Sequence, residues 1–165
     1  MSLRLPSAGA DHNYLAGNRQ AACAGATVVT SVPETQETTM TETIETYVRF
    51  WNTEPGEPQR RVGAQVFTPD VSYVAPNADL VGVEALVGFT RTFVENVGAY
   101  EFLARAEPET HHDRARLAWE IRVGGSSFAE GTDVIVTGAD GRITGVTTFV
   151  DRAPVVTAEH HGGAA

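Results

Sequence analysis

"AEGTDVIVTGADGRITGVTTFVD", residues 129 to 151, reads as two β-strands around a turn, and one residue in it stands out. The turn "GADGR" (138–142) contains Asp140-Gly141, a pair that favours a tight hairpin because its backbone reaches positive φ with little strain. In the strand before it, Val134 and Val136 share a face with Thr132, while Asp133 shares the other with Ile135 and Thr137. Both faces are at least partly apolar, so this strand belongs to a sheet covered on both sides. A carboxylate in that setting is either on the wet face or held in a pocket, where its protonation is open to tuning.

The neighbouring segments extend the sheet. "RARLAWEIRV" (114–123) sets Ala115, Leu117, Trp119, Ile121 and Val123 against a face carrying Arg114, Arg116, Glu120 and Arg122, the alternation of a half-buried strand. "FTPDVSYVAP" (67–76) places Val71, Tyr73 and Ala75 on one side and ends at Pro76, and "AYEFLARAE" (99–107) reads as a further strand. Upstream the period changes. In "TETIETYVRFWN" (41–52) Ile44, Tyr47, Val48 and Trp51 recur at helical spacing, and Thr39 with Glu42 has the spacing of a capping box. "NTEPGEP" breaks that helix, and Pro58 suits the first turn of a short second one. "VEALVGFTRTFVENVG" (83–98) is a long helix through Leu86, Phe89, Phe93 and Val97, with Gly98 as its C-terminal cap. Helices first and a meander of strands afterwards predict an α+β domain, a curved antiparallel sheet wrapped around the long helix.

Composition narrows the chemistry. All twelve basic residues are arginine, which removes Schiff-base lysines and the P-loop lysine. A net charge of -9 without a basic cluster argues against nucleic acid. Cys23 is the only cysteine, so no internal disulfide forms, and a cytoplasmic location is the expectation. No window suits a signal peptide or a membrane span. Residues 1 to 39, polar and aperiodic, are expected to be a disordered extension, and Met40 is a candidate for the true start of translation. Residues 40 to 152 form the domain, and 153 to 165, with His160 and His161, a flexible tail.

The order helix, helix, strand, long helix, four strands, with "FTPDVSYVAP", "GTDVIV" (131–136) and "DGRITGVTTFVD" (140–151) in place, resembles the nuclear transport factor 2-like superfamily. Within it the chain is similar to the SnoaL-like and ketosteroid-isomerase-like branches. The resemblance implies a cone-shaped α+β fold whose open end holds a small hydrophobic ligand, commonly as a homodimer, with isomerases, cyclases, hydrolases and non-catalytic proteins among its members. On the isomerase pattern Tyr47 matches the oxyanion-hole tyrosine and Asp133 the aspartate that donates beside it, while the position of the general base is Ala75. The cyclase branch implies a single acid/base aspartate at Asp133. "RLAWE" (116–120) lacks the Arg-x-Asp spacing of the epoxide-hydrolase branch.

The expected function is therefore cofactor-free, metal-free proton transfer on a small hydrophobic carbonyl compound, polyketide- or steroid-like, as an isomerase or cyclase. Asp133 and Tyr47 are the candidate catalytic residues, and Trp51, Tyr73, Trp119, Phe89 and Phe93 the candidate substrate-binding walls. His111 and His112 in "THHDR" are poorly placed to share a metal, since neighbours on a strand face opposite sides. A hairpin tip is their expected home, with either one an alternative base. Asn77 and Asp79, in the loop after the first strand, are further candidates for the rim. The rival expectation is a non-catalytic module that binds a ligand or protein partner through the same cone.

Overall fold

A computed structural model describes residues 39 to 154. The N-terminal extension up to residue 38, including Cys23, and the tail from residue 155, including His160 and His161, lie outside the described residues. Helix α1 (Met40–Trp51) starts at the predicted capping box: the Glu42 amide donates to the Thr39 hydroxyl, and the Thr39 amide donates to the Glu42 carboxylate at 2.9 Å. The buried stripe of α1 is wider than the sequence spacing suggests, because Phe50 is fully buried beside Ile44, Tyr47 and Trp51 whereas Val48 is only partly covered. Gly56, at φ 132°, turns the chain into α2 (Glu57–Val66), with Pro58 in its first turn. The third helix, α3 (Val83–Val97), ends at Gly98 with φ 92°.

Seven strands follow or intervene: β1 (Phe67–Ala75), β2 (Ala78–Val81), β3 (Tyr100–Ala104), β4 (Glu109–His111), β5 (Arg114–Val123), β6 (Ser126–Thr137) and β7 (Ile143–Arg152). The sheet order is β2-β1-β7-β6-β5-β3, with β4 also paired to β5. Two of these strands, β2 and β4, sit where the sequence reads as loop, since three or four residues are too few to show a period. One neighbouring pair departs from the expected antiparallel sheet: β1 and β7 run parallel. Register shifts interrupt the ladders of β1 with β7, β5 with β6, and β6 with β7, and such bulges bend strands and curve a sheet.

The concave side of the sheet and the helices share one core. Tyr47 meets Trp51, Phe67 and Phe102 edge to face with ring centroids 6.0 to 6.2 Å apart, a geometry that sets the positive ring edge against a neighbour's negative face. Gln59, fully buried on α2, ties the three helices together by donating to the Phe50 carbonyl and to the Thr90 hydroxyl, both at 3.1 Å. The Asn52 side chain does the same between α1 and β3, donating to the Phe102 carbonyl at 2.7 Å and accepting from its amide at 2.8 Å. These bonds fix α1 against the sheet, which positions Tyr47 for the site. Among the described residues, no helix is long and apolar enough to cross a membrane.

Candidate functional site

Strand β6 lies between β5 and β7, and its residues 129, 131, 133 and 135 face inward. Asp133 is therefore in the middle of the concave face, 1% exposed, with Leu117 of β5 on one side and Thr148 of β7 on the other. Three donors converge on its carboxylate. Thr148 Oγ1 lies 2.7 Å from Oδ1, directly across the ladder. Trp119 Nε1–H donates to the same Oδ1 at 2.8 Å, although Trp119 pairs with Gly131 rather than with Asp133. That diagonal reach depends on the glycine: a Cβ at Gly131 would stand 2.2 Å from Cζ2 of Trp119 and 2.4 Å from the Phe149 carbonyl oxygen, so only a bare backbone lets the indole lie there. From α1, the Tyr47 hydroxyl donates to Oδ2 at 2.6 Å.

Desolvation and hydrogen bonding oppose each other at this carboxyl. Burial raises the Asp133 pKa, the bonds from Tyr47, Thr148 and Trp119 lower it, and the result is about 6. Burial, with the Asp133 charge as the next cause, also holds the Tyr47 phenol well above its ordinary value and raises that of Tyr73. The Trp51 indole N–H finds no acceptor in hydrogen-bond geometry, yet it sits near enough to the Tyr47 oxygen to oppose part of that rise.

A cavity of about 350 Å³ opens in front of Asp133. Trp51, Tyr73 and Trp119 from α1, β1 and β5, and Phe89 and Phe93 from α3, line it. Both phenylalanines are half-buried, on a helix whose fully buried residues are Leu86, Val87 and Thr90. Phe93 meets Tyr100 and Phe128 edge to face at 5.0 and 6.0 Å, and these two also border the cavity. Ala75 contributes only a methyl group to the wall. Asn77 reaches the rim, whereas Asp79 lies exposed on β2.

Two expectations need correction. Tyr47 is fully buried and does not line the cavity; its single hydroxyl proton is taken by Asp133, so it supports the carboxylate instead of facing a substrate oxygen. His111 and His112 are exposed at the turn between β4 and β5, with His112 at φ 51°, and neither lines the cavity. An alternative base from that turn is thus not in reach of the site. Sequence reasoning missed Thr148 and Gly131, one directly opposite Asp133 and the other opposite Trp119.

No protein-family model matches this sequence, and no curated protein matches it either. Solved structures do. A candidate isomerase of the SnoaL-like family from Agrobacterium tumefaciens superposes with a TM-score of 0.64 at 26% identity, over 68% of this chain and 97% of that one. A candidate polyketide cyclase from Sinorhizobium meliloti gives 0.53 at 17% identity over 66% and 94%, and a nuclear transport factor 2-like protein of unknown function from Exiguobacterium gives 0.54 at 20% over 66% and 98%. With three helices packed on a curved, unclosed seven-stranded sheet among the described residues, the chain belongs by fold to the nuclear transport factor 2-like superfamily, with SnoaL-like proteins among its structural neighbours.

Proposed function

We propose that this protein moves a proton on a small, largely apolar carbonyl compound bound in the cavity, with Asp133 as the acid/base. The observation that carries this reading is a 1% exposed carboxyl beside an aromatic cavity whose pKa is raised to about 6. A group of that pKa is a carboxylate at neutral pH, yet it holds an abstracted proton well enough to return it, as isomerisation and aldol cyclisation both require. With Ala75 at the isomerase-base position, one residue has to serve as base and then as acid. Tyr47 and Trp119 hold the carboxylate in place, and Asn77, Thr92 and Asn96 supply the polar handles among the apolar walls. The SnoaL-like isomerase and cyclase neighbours support this class of chemistry.

The test is deuterium uptake. A panel of cyclic and aromatic ketones is incubated with the protein in heavy water, and incorporation next to the carbonyl is read by mass spectrometry. Loss of a general acid/base lowers rates by about 10²- to 10⁴-fold, so the Asp133→Asn protein should lose the exchange the native protein shows. Binding of the ketones without exchange would favour the second reading, a non-catalytic binding module, which the methyl group of Ala75 and the three hydrogen bonds already held by the Asp133 carboxylate support. Pairing of two copies belongs to the same proposal: Val74, Val81 and Phe149 are exposed, at 42%, 66% and 56%, on the face of the sheet away from Asp133. Sedimentation of the native protein against Phe149→Glu tests it.

A further inference from the structure

Asp133 borders the cavity yet is only 1% exposed, and three donors occupy most of the roughly four acceptor sites of its carboxylate, so little of it is open to a ligand. Three routes lead away from the carboxylate. The Trp119 N–H donates but has no lone pair to accept with, so it passes no proton along. The Tyr47 hydroxyl is fully buried and does not line the cavity in front of Asp133. The Thr148 hydroxyl is different: its oxygen also lies 3.0 Å from the Tyr73 hydroxyl, and both residues line the cavity, Tyr73 carrying the chain of hydroxyls further along the wall. Thr148 has one proton. With Asp133 ionised that proton belongs to Oδ1, so the Tyr73 hydroxyl must donate to Thr148, leaving its own lone pairs free.

We propose that Tyr73 and Thr148 form a hydroxyl relay through which Asp133 exchanges its proton with whatever occupies the cavity, a function that rests on the acid/base reading of Asp133 and adds two residues to it. The balance is simple. A ligand C–H bond breaks and its proton bonds to Tyr73 Oη; the Tyr73 proton moves to Thr148 Oγ1; the Thr148 proton moves to Asp133 Oδ1. The electron pair stays on the ligand as an enolate. Each hydroxyl gains one proton and loses one, so neither becomes charged overall, in keeping with burial that raises the Tyr73 pKa and disfavours a free phenolate. Reversal returns the proton to a different carbon. Protonating Asp133 also flips the chain, so that Tyr73 donates into the cavity instead of inward.

That reversal is measurable without a substrate. In protein with ¹³Cζ-labelled tyrosine and ¹³C-labelled aspartate, the Tyr73 signal should titrate with the same midpoint as Asp133. Thr148→Val, which keeps the shape and removes the hydroxyl, should abolish that step in the Tyr73 signal while Asp133 still titrates; Thr148→Ser should retain it. Native protein in which Tyr73 ignores the Asp133 midpoint overturns the relay, and so does an undiminished Tyr73 step in Thr148→Val, which marks a field effect through space. If Thr148→Val does not fold, Thr148→Ala replaces it and is read in the same way: loss of the Tyr73 step while Asp133 still titrates supports the relay, and an undiminished Tyr73 step overturns it. Failure of the underlying reading looks different, because Asp133 itself would then titrate near the ordinary carboxyl value in the native protein.

Discussion

Replacing Asp133 with Asn removes a charge from the core without removing the shape that holds it. The amide oxygen still accepts from Trp119 and Thr148, and the amide NH₂ donates to Tyr47, whose hydroxyl oxygen accepts in turn. Ionisation differs. The carboxyl has a folded pKa of about 6 against 3.8 for an ordinary side chain, so the folded state binds its proton more tightly than the unfolded chain does. The stability this contributes is fully present below pH 3.8 and is lost as pH rises through 6. A shift of about two units corresponds to about 3 kcal/mol, of which about 2 kcal/mol develops between pH 4.5 and 8. Asparagine does not titrate, so the variant gains on the native protein by that amount as pH is raised, whatever fixed difference its altered hydrogen bonds add. Urea unfolding followed by the fluorescence of Trp51 and Trp119, both buried, gives the two stabilities across the range. A native-minus-variant difference that stays flat from pH 4.5 to 8 would refute the tuned carboxyl.

Trp119→Phe removes one of the bonds that lower the Asp133 pKa, so its midpoint should rise above about 6 in an NMR titration. Gly131→Ala puts a methyl group into Trp119 and the Phe149 carbonyl, and overpacking of that kind costs about 1–3 kcal/mol in urea unfolding, together with a changed Trp119 emission. Thr39→Ala removes the side-chain cap of α1 and should lower stability by about 1 kcal/mol, read from the same unfolding curves.

Much of this arrangement is legible in the residues. The helical stripe of α1, Gly98 as a helix end and the alternation of β5 follow from period and capping, which are local properties. Counting outward from Asp140-Gly141 as the centre of a hairpin even places Thr148 opposite Asp133, so that partner was within reach of sequence reasoning. Other features were not. Gly131 looks like any weak point in a strand until Trp119 is known to lie across it, and the parallel pairing of β1 with β7 joins segments about 70 positions apart with no local mark. The role of Tyr47 was misjudged for a similar reason: period alone shows that it faces inward, but whether it meets the ligand or the carboxylate depends on how far α1 sits from β6.

The balance at Asp133 explains why the site combines so apolar a wall with so many donors. Burial alone would push the carboxyl's pKa higher still and favour its neutral form, which cannot take up a proton. Three donors alone, in water, would hold it as a carboxylate too stable to keep one. Only with both present does the value fall near 6, where proton gain and proton return are each accessible. The donors differ in what else they do. Trp119 and Tyr47 end at the carboxylate, one by its chemistry and the other by its burial, whereas Thr148 continues to Tyr73 and so to the cavity. Of the three bonds that set the affinity for a proton, the one from Thr148 is therefore also the one that the proposed relay uses to carry it.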